Sequence, residues 1–144
     1  MRPFKEGGVM KNIIEEFGQN AGKIWSTLNV YGSLSKTNLI KKTRLRVNDF
    51  YVGIGWLARE NKIYKDGELY KLGETNLTNK IGEDAGEVWN TLNNLENVDI
   101  SSIAKLAQIT EKDAYSAVGW LAREDKIQAN KENSNEFQIK IGLK

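Results

Sequence analysis

The segment Gly55-Trp56-Leu57-Ala58-Arg59-Glu60-Asn61-Lys62-Ile63 returns 64 residues later as Gly119-Trp120-Leu121-Ala122-Arg123-Glu124-Asp125-Lys126-Ile127. The same offset carries Ala21-Gly22 onto Ala85-Gly86, Trp25 onto Trp89, Thr27-Leu28-Asn29 onto Thr91-Leu92-Asn93, and Asp49 and Tyr51 onto Asp113 and Tyr115, without a gap. A unit of this size is long enough to close a small core, so the repeat predicts a tandem duplication of one compact unit rather than a solenoid. The expected domains are residues 1–73 and 74–144.

Within each unit the apolar spacing points to three helices. Ala21, Ile24, Trp25 and Leu28 follow i, i+3, i+4, i+7, as do Ala85, Val88, Trp89 and Leu92, which gives a first helix with one buried stripe. Short apolar elements follow at Leu34 and Val98. Ser35 and Asp99 then offer side-chain oxygens suited to capping a second helix, which carries Leu39 and Ile40 in one unit and Ile103, Leu106 and Ala107 in the other. In the third helix Phe50, Ile54 and Leu57 share a face, matched by Ala114, Val118 and Leu121, and Asn61 and Asp125 stand where a left-handed residue ends it. Beyond this point the period becomes alternating. Asp66-Gly67 predicts a tight hairpin turn. In the second unit the return strand is Phe137 to Ile141, and the polar run Asn130 to Asn135 predicts a longer, mobile tip. The stretch Gly73 to Lys80 reads as a short polar linker with one apolar anchor, Leu77.

Helix, short strand, helix, tight turn, helix and hairpin is the order of a winged helix-turn-helix unit. The expected fold class is thus mainly α (α+β): two tandem winged helix-turn-helix domains, each of three helices and a small β-hairpin wing. The Ala-Gly-x-x-Trp of the first helix and Gly-Trp-Leu-Ala-Arg-Glu-(Asn/Asp)-Lys-Ile across the third resemble a small family of uncharacterised prokaryotic winged helix-turn-helix proteins, usually met as a single copy. The resemblance spans most of residues 18–72 and 82–141. It implies the fold and a nucleic-acid-binding role, without assigning residues.

Composition narrows the chemistry. There is no cysteine and no histidine, which removes disulfides, thiolate nucleophiles, imidazole bases and the commonest zinc ligands. Carboxylates and lysines are scattered without a distinctive pair, so no enzyme, no metal and no cofactor is expected. No apolar run approaches the ~18 residues of a membrane span, and the first ten residues contain Arg2, Lys5 and Glu6 rather than a leader's apolar core. A cytoplasmic protein without membrane contact is the expectation.

Charge separates the two units. Residues 1–72 hold 13 Lys/Arg against 7 Asp/Glu, a net +6, and residues 73–144 hold 8 against 12, a net −4. A shared fold requires neither sign, so the asymmetry points to divergent tasks. In the first unit Lys36, Lys41, Lys42 and Arg44 surround the helix-turn-helix, Arg46, Asn48 and Tyr51 lie near the start of the third helix, and Lys65 and Lys71 lie on the wing. Lysines there suit phosphates, while Arg46 and Asn48 suit base edges. A solvated lysine face is the plain alternative, and Asp49 would sit poorly beside phosphate. The second unit has Ile100, Leu106 and Gln108 in place of Lys36, Lys42 and Arg44, and Glu111 and Asp113 at the head of its third helix. It is expected to stabilise the first unit as half of an internal pseudo-dimer, or to bind a protein partner.

Gly55 and Gly119, inside helices, are expected to let the first or second helix approach the third, and Trp56 and Trp120 to cover the wing. Arg59 and Glu60 read as solvated or locally paired. The functional expectation is a nucleic-acid-binding, transcription-related protein, probing duplex DNA through its first unit. The alternative is a protein–protein interaction module using winged helices as docking surfaces in a larger assembly. RNA is a third target, although paired stacking aromatics are lacking.

Overall fold

The computed structural model describes residues 12–131 and 139–144. Among them one order of elements occurs twice. The first unit contains α1 (Ile13–Tyr31), β1 (Leu34–Ser35), α2 (Lys36–Thr43), α3 (Val47–Arg59), β2 (Ile63–Asp66) and β3 (Leu69–Leu72). The second contains α4 (Thr78–Leu92), β4 (Val98–Asp99), α5 (Ile100–Ala107), α6 (Glu111–Arg123), β5 (Ile127–Lys131) and β6 (Ile139–Leu143). Each unit builds its own antiparallel sheet, in the orders β1-β3-β2 and β4-β6-β5. These are two winged helix-turn-helix units, mainly α.

Local chemistry sets the boundaries. Asn12 caps α1 and Ser35 caps α2, the Ser35 hydroxyl accepting from the Asn38 N–H at 3.2 Å. Arg44 and Gln108 end α2 and α5 in the left-handed region at φ 61°, and Asn61 and Asp125 turn the chain after α3 and α6 at φ 61° and 62°. Such positions let orphan carbonyls of the last turn find partners: the Arg44 N–H reaches Ile40 O at 2.7 Å.

The first wing differs from expectation by one residue. Asp66 pairs with Leu69 across the ladder, so the two loop residues are Gly67 and Glu68. Only the first of them, Gly67, has positive φ (61°), the demand of a turn with glycine at its first central position. In the second wing Asn130 and Lys131 belong to β5, paired with Lys140 and Ile139; the rest of the expected tip, with Phe137 and Gln138, lies outside the described residues. The linker is shorter than the sequence implies, because α4 already starts at Thr78. Asn76 pins it to the first wing, accepting from the Lys65 N–H at 3.0 Å and donating to Lys65 O at 2.7 Å. These bonds occupy an otherwise open strand edge.

The buried stripes largely follow the spacing: Ala21, Ile24, Leu28, Phe50, Ile54 and Leu57 are buried, with their equivalents in the second unit. Trp25 and Trp89 lie at equivalent places but off the buried stripe, 37% and 40% exposed, and Leu106 is 59% exposed.

The larger departure is between units. Among the described residues, the most extensive helix packing joins α3 to α6. A Cβ on Gly55 would stand 1.8 Å from Ser116 O, and one on Gly119 would stand 1.9 Å from Val52 O. The glycines therefore serve the approach of the two third helices to each other, not of α1 or α2 to α3. Trp56 does not cover the wing: its ring lies against Gly18 of α1 and touches both hydrophobic clusters, as Trp120 does from the other side. Arg59 donates to Glu124 and Arg123 to Glu60, both at 2.9 Å, so the arginines pair across units, while Glu60 and Glu124 also pair locally, with Lys62 at 3.5 Å and Lys126 at 3.4 Å.

The cores interlock as well. Ile13, Phe17 and Val52 of the first unit belong to the second unit's apolar cluster, and Ile81, the equivalent of Phe17, belongs to the first. Each unit's core is thus completed by the other's first helix. Fully burying such a side chain contributes roughly 1.5–3 kcal/mol, a large share of what a unit this small can gather.

Candidate nucleic-acid interface

The cationic positions of the first unit fall into three groups. Lys41 and Lys42 occupy the last turn of α2 and Arg44 follows it, all exposed, with Leu45 between Arg44 and Arg46 buried in the core. The negative end of the helix dipole favours cations there. Lys42 Nζ stands 4.0 Å from the centroid of the Tyr31 ring, which is 60% exposed. Nothing in the spacing of Tyr31 and Lys42 along the chain signals that pair.

The second group, around α3, is divided: Lys36, Arg46 and Asn48 are exposed, and Tyr51 is internal. Tyr51 is only 8% exposed; Lys36 Nζ donates to its hydroxyl at 3.1 Å, and Lys112 of the second unit stands 5.8 Å from its ring. Tyr51 therefore packs and does not offer a ring to a groove. Phe50 meets Tyr51 and Tyr70 edge-on at 5.3 and 5.5 Å, joining α3 to the wing. Burial, with Tyr51 and Glu68 nearby, pushes the Tyr70 hydroxyl up to about 12. Arg46 and Asn48 are exposed and line a cavity of about 290 Å³ at the junction of the units, with Glu16, Asp49, Tyr115 and Lys131. Desolvation raises the Asp49 carboxyl above its ordinary range, Arg46 opposing and Glu16 reinforcing the shift.

The wing cations separate. Lys65 lies cross-strand from Tyr70, half-buried, and donates to Gly67 O at 2.6 Å. Lys71 pairs with Tyr64 on the opposite face, its Nζ 4.8 Å from that ring. The structure thus leaves Lys41, Lys42, Arg44 and Lys71 presented to solvent, ties Lys36 and Lys65 to neighbours, and buries Tyr51.

Strand register extends the comparison of units beyond the point where the hairpins differ in length. Lys65 and Lys71 correspond to Ala129 and Gly142, since Lys65↔Tyr70 and Tyr64↔Lys71 match Ala129↔Ile141 and Gln128↔Gly142. Together with Leu106 for Lys42 and Gln108 for Arg44, the second unit lacks most of the exposed cations; Lys105 keeps the place of Lys41. Among the described residues, no helix is long and apolar enough to cross a membrane.

The family described as "Winged helix-turn-helix domain (DUF2582)" matches this chain twice, over residues 10–72 and 76–140. The chain belongs to that family. As a DUF2582 winged helix-turn-helix protein it carries the family's unit in duplicate. It is also 37% identical over 68 residues to an uncharacterized protein of Methanocaldococcus jannaschii, a match covering 43% of this chain and 90% of the relative. That relative has room for one unit where this chain has two. No solved structure matches the chain significantly.

Proposed function

We propose that this chain is a non-enzymatic, transcription-related protein that binds duplex DNA through the exposed cations of its first unit. One observation carries the reading: Lys42, Arg44 and Lys71 are presented to solvent, while the second copy of the fold has Leu106, Gln108 and Gly142 at those places. Packing demands no cation at any of the three. The winged helix-turn-helix family supports nucleic acid as the target class.

Cations that neutralise phosphates release condensed counterions, so each contact adds about 0.9 to the slope of log affinity against log salt. The test uses the intact chain, because the cores interlock. Replacing Lys42 and Arg44 by glutamine lowers the slope by roughly one to two units, whereas K112Q changes it little. Absence of affinity at low salt, or an unchanged slope in the double variant, overturns the proposal. A second reading, a protein-docking surface on the second unit, is favoured by Leu106, exposed where the first unit has Lys42.

A further inference from the structure

We infer that duplex DNA is held through its phosphates alone, without major-groove reading of base sequence, because the helix that would enter the groove is walled in on both sides between its exposed ends. This rests on the function proposed above and adds the mode of recognition.

Direct readout places an exposed helix face against base edges. In α3 the residues Phe50 to Gly55, Leu57 and Ala58 are all buried. One side faces the first unit's own core. The other faces α6, and the contacts advance together along both helices: Tyr51 with Lys112, Gly55 with Ser116, Arg59 with Glu124. The two helices therefore run side by side in the same direction, and no lateral face remains for a groove. Only the tip at Val47 and Asn48 and the last residue, Arg59, are exposed.

The spacing of the pair excludes the other familiar arrangement. Two recognition helices that read successive half-sites sit one helical turn apart, about 34–36 Å. Here the backbones are so close that a single Cβ on Gly55 would strike Ser116 O at 1.8 Å. A two-half-site operator cannot be spanned by helices in contact.

Most of what stays exposed is suited to phosphate. Lys41, Lys42 and Lys71 end in flexible ammonium groups that act as point charges rather than planar bidentate forks, and with Arg44 they lie outside α3, on the end of α2 and on the wing. Arg46 and Asn48, exposed at the tip of α3, line the cavity between the units together with the acidic Glu16 and Asp49. Binding of this kind is salt-dependent and nearly indifferent to sequence.

The experiment selects from a pool of random-sequence duplexes of about 20 base pairs with the full chain, followed by titration of AT-rich, GC-rich and mixed duplexes of equal length at two salt concentrations. The expected result is no enriched motif and affinities within about threefold, against the roughly 10³-fold or greater preference of specific readers. Enrichment of a motif bound about a hundredfold tighter than the pool overturns the inference and leaves DNA binding standing. Failure to bind any duplex at low salt overturns both.

Discussion

Replacing Gly55 by alanine tests the seam between the units with one methyl group. The added carbon would stand 1.8 Å from Ser116 O, where ordinary van der Waals contact begins at 3.4 Å, and the neighbour is backbone that cannot swing aside. Relief requires α3 and α6 to part by about 1.5 Å, and a gap of about 0.5–1 Å already forfeits a quarter to a half of each dispersion contact along the seam. Overpacking of this kind costs about 1–3 kcal/mol and sometimes more; here the obstacle is a helix backbone, and the seam is the most extensive among the described residues. Alanine's better helix propensity returns at most about 1 kcal/mol. With the gross cost at or above the top of that range, about 3–5 kcal/mol, the expected net loss is about 2–4 kcal/mol, or roughly 5–15 °C in Tm for a chain of this size. Urea unfolding followed by tryptophan fluorescence reads it as a lower midpoint at unchanged m-value. Gly22 supplies the control: it lies in α1 with nothing within 4 Å of an added Cβ, so G22A gains about 0.5–1 kcal/mol. If G55A is as stable as G22A, the two third helices do not meet as described.

The remaining predictions concern charge. A double-mutant cycle on Arg59→Ala and Glu124→Ala gives a coupling of about 0.5–1 kcal/mol in urea unfolding, since the pair is short but partly exposed; a coupling of zero removes it as a link between units. Asp49 has a raised folded-state pKa, so its contribution to stability is full below the ordinary value of 3.8 and is lost as pH rises through the raised value. Asp49→Asn accordingly stabilises the chain at neutral pH, and the gain vanishes near pH ~3; thermal melts across that range check it, and a pH-independent difference refutes it.

The duplication, the order of elements and the buried stripes are legible in the sequence because 3.6-residue spacing and turn chemistry are local properties. The first wing is legible to within one residue; Asp66 enters the ladder because a glycine at the first loop position satisfies the turn alone. What escapes is the second face of α3. Phe50, Ile54 and Leu57 already account for one stripe, which leaves Tyr51 and Asn48 to read as groove-facing. A signal is present all the same: from Phe50 to Ala58, and again from Ala114 to Ala122, no residue is charged. A helix apolar all round is buried all round. The basic cluster is legible residue by residue, but not its geometry, because Lys36 and Lys65 are tied down by partners that only the tertiary fold supplies.

Interlocked cores joined by a short pinned linker change what substitution can do. In an assembly of two identical separate chains, any altered residue appears on both sides at once, and the association weakens as the chains are diluted. Here the partner arrives on the same polypeptide, at an effective concentration fixed by the linker. Surface positions on one side are free to differ from their equivalents on the other, as Leu106 differs from Lys42, while the interlocked cores hold both units to a common packing.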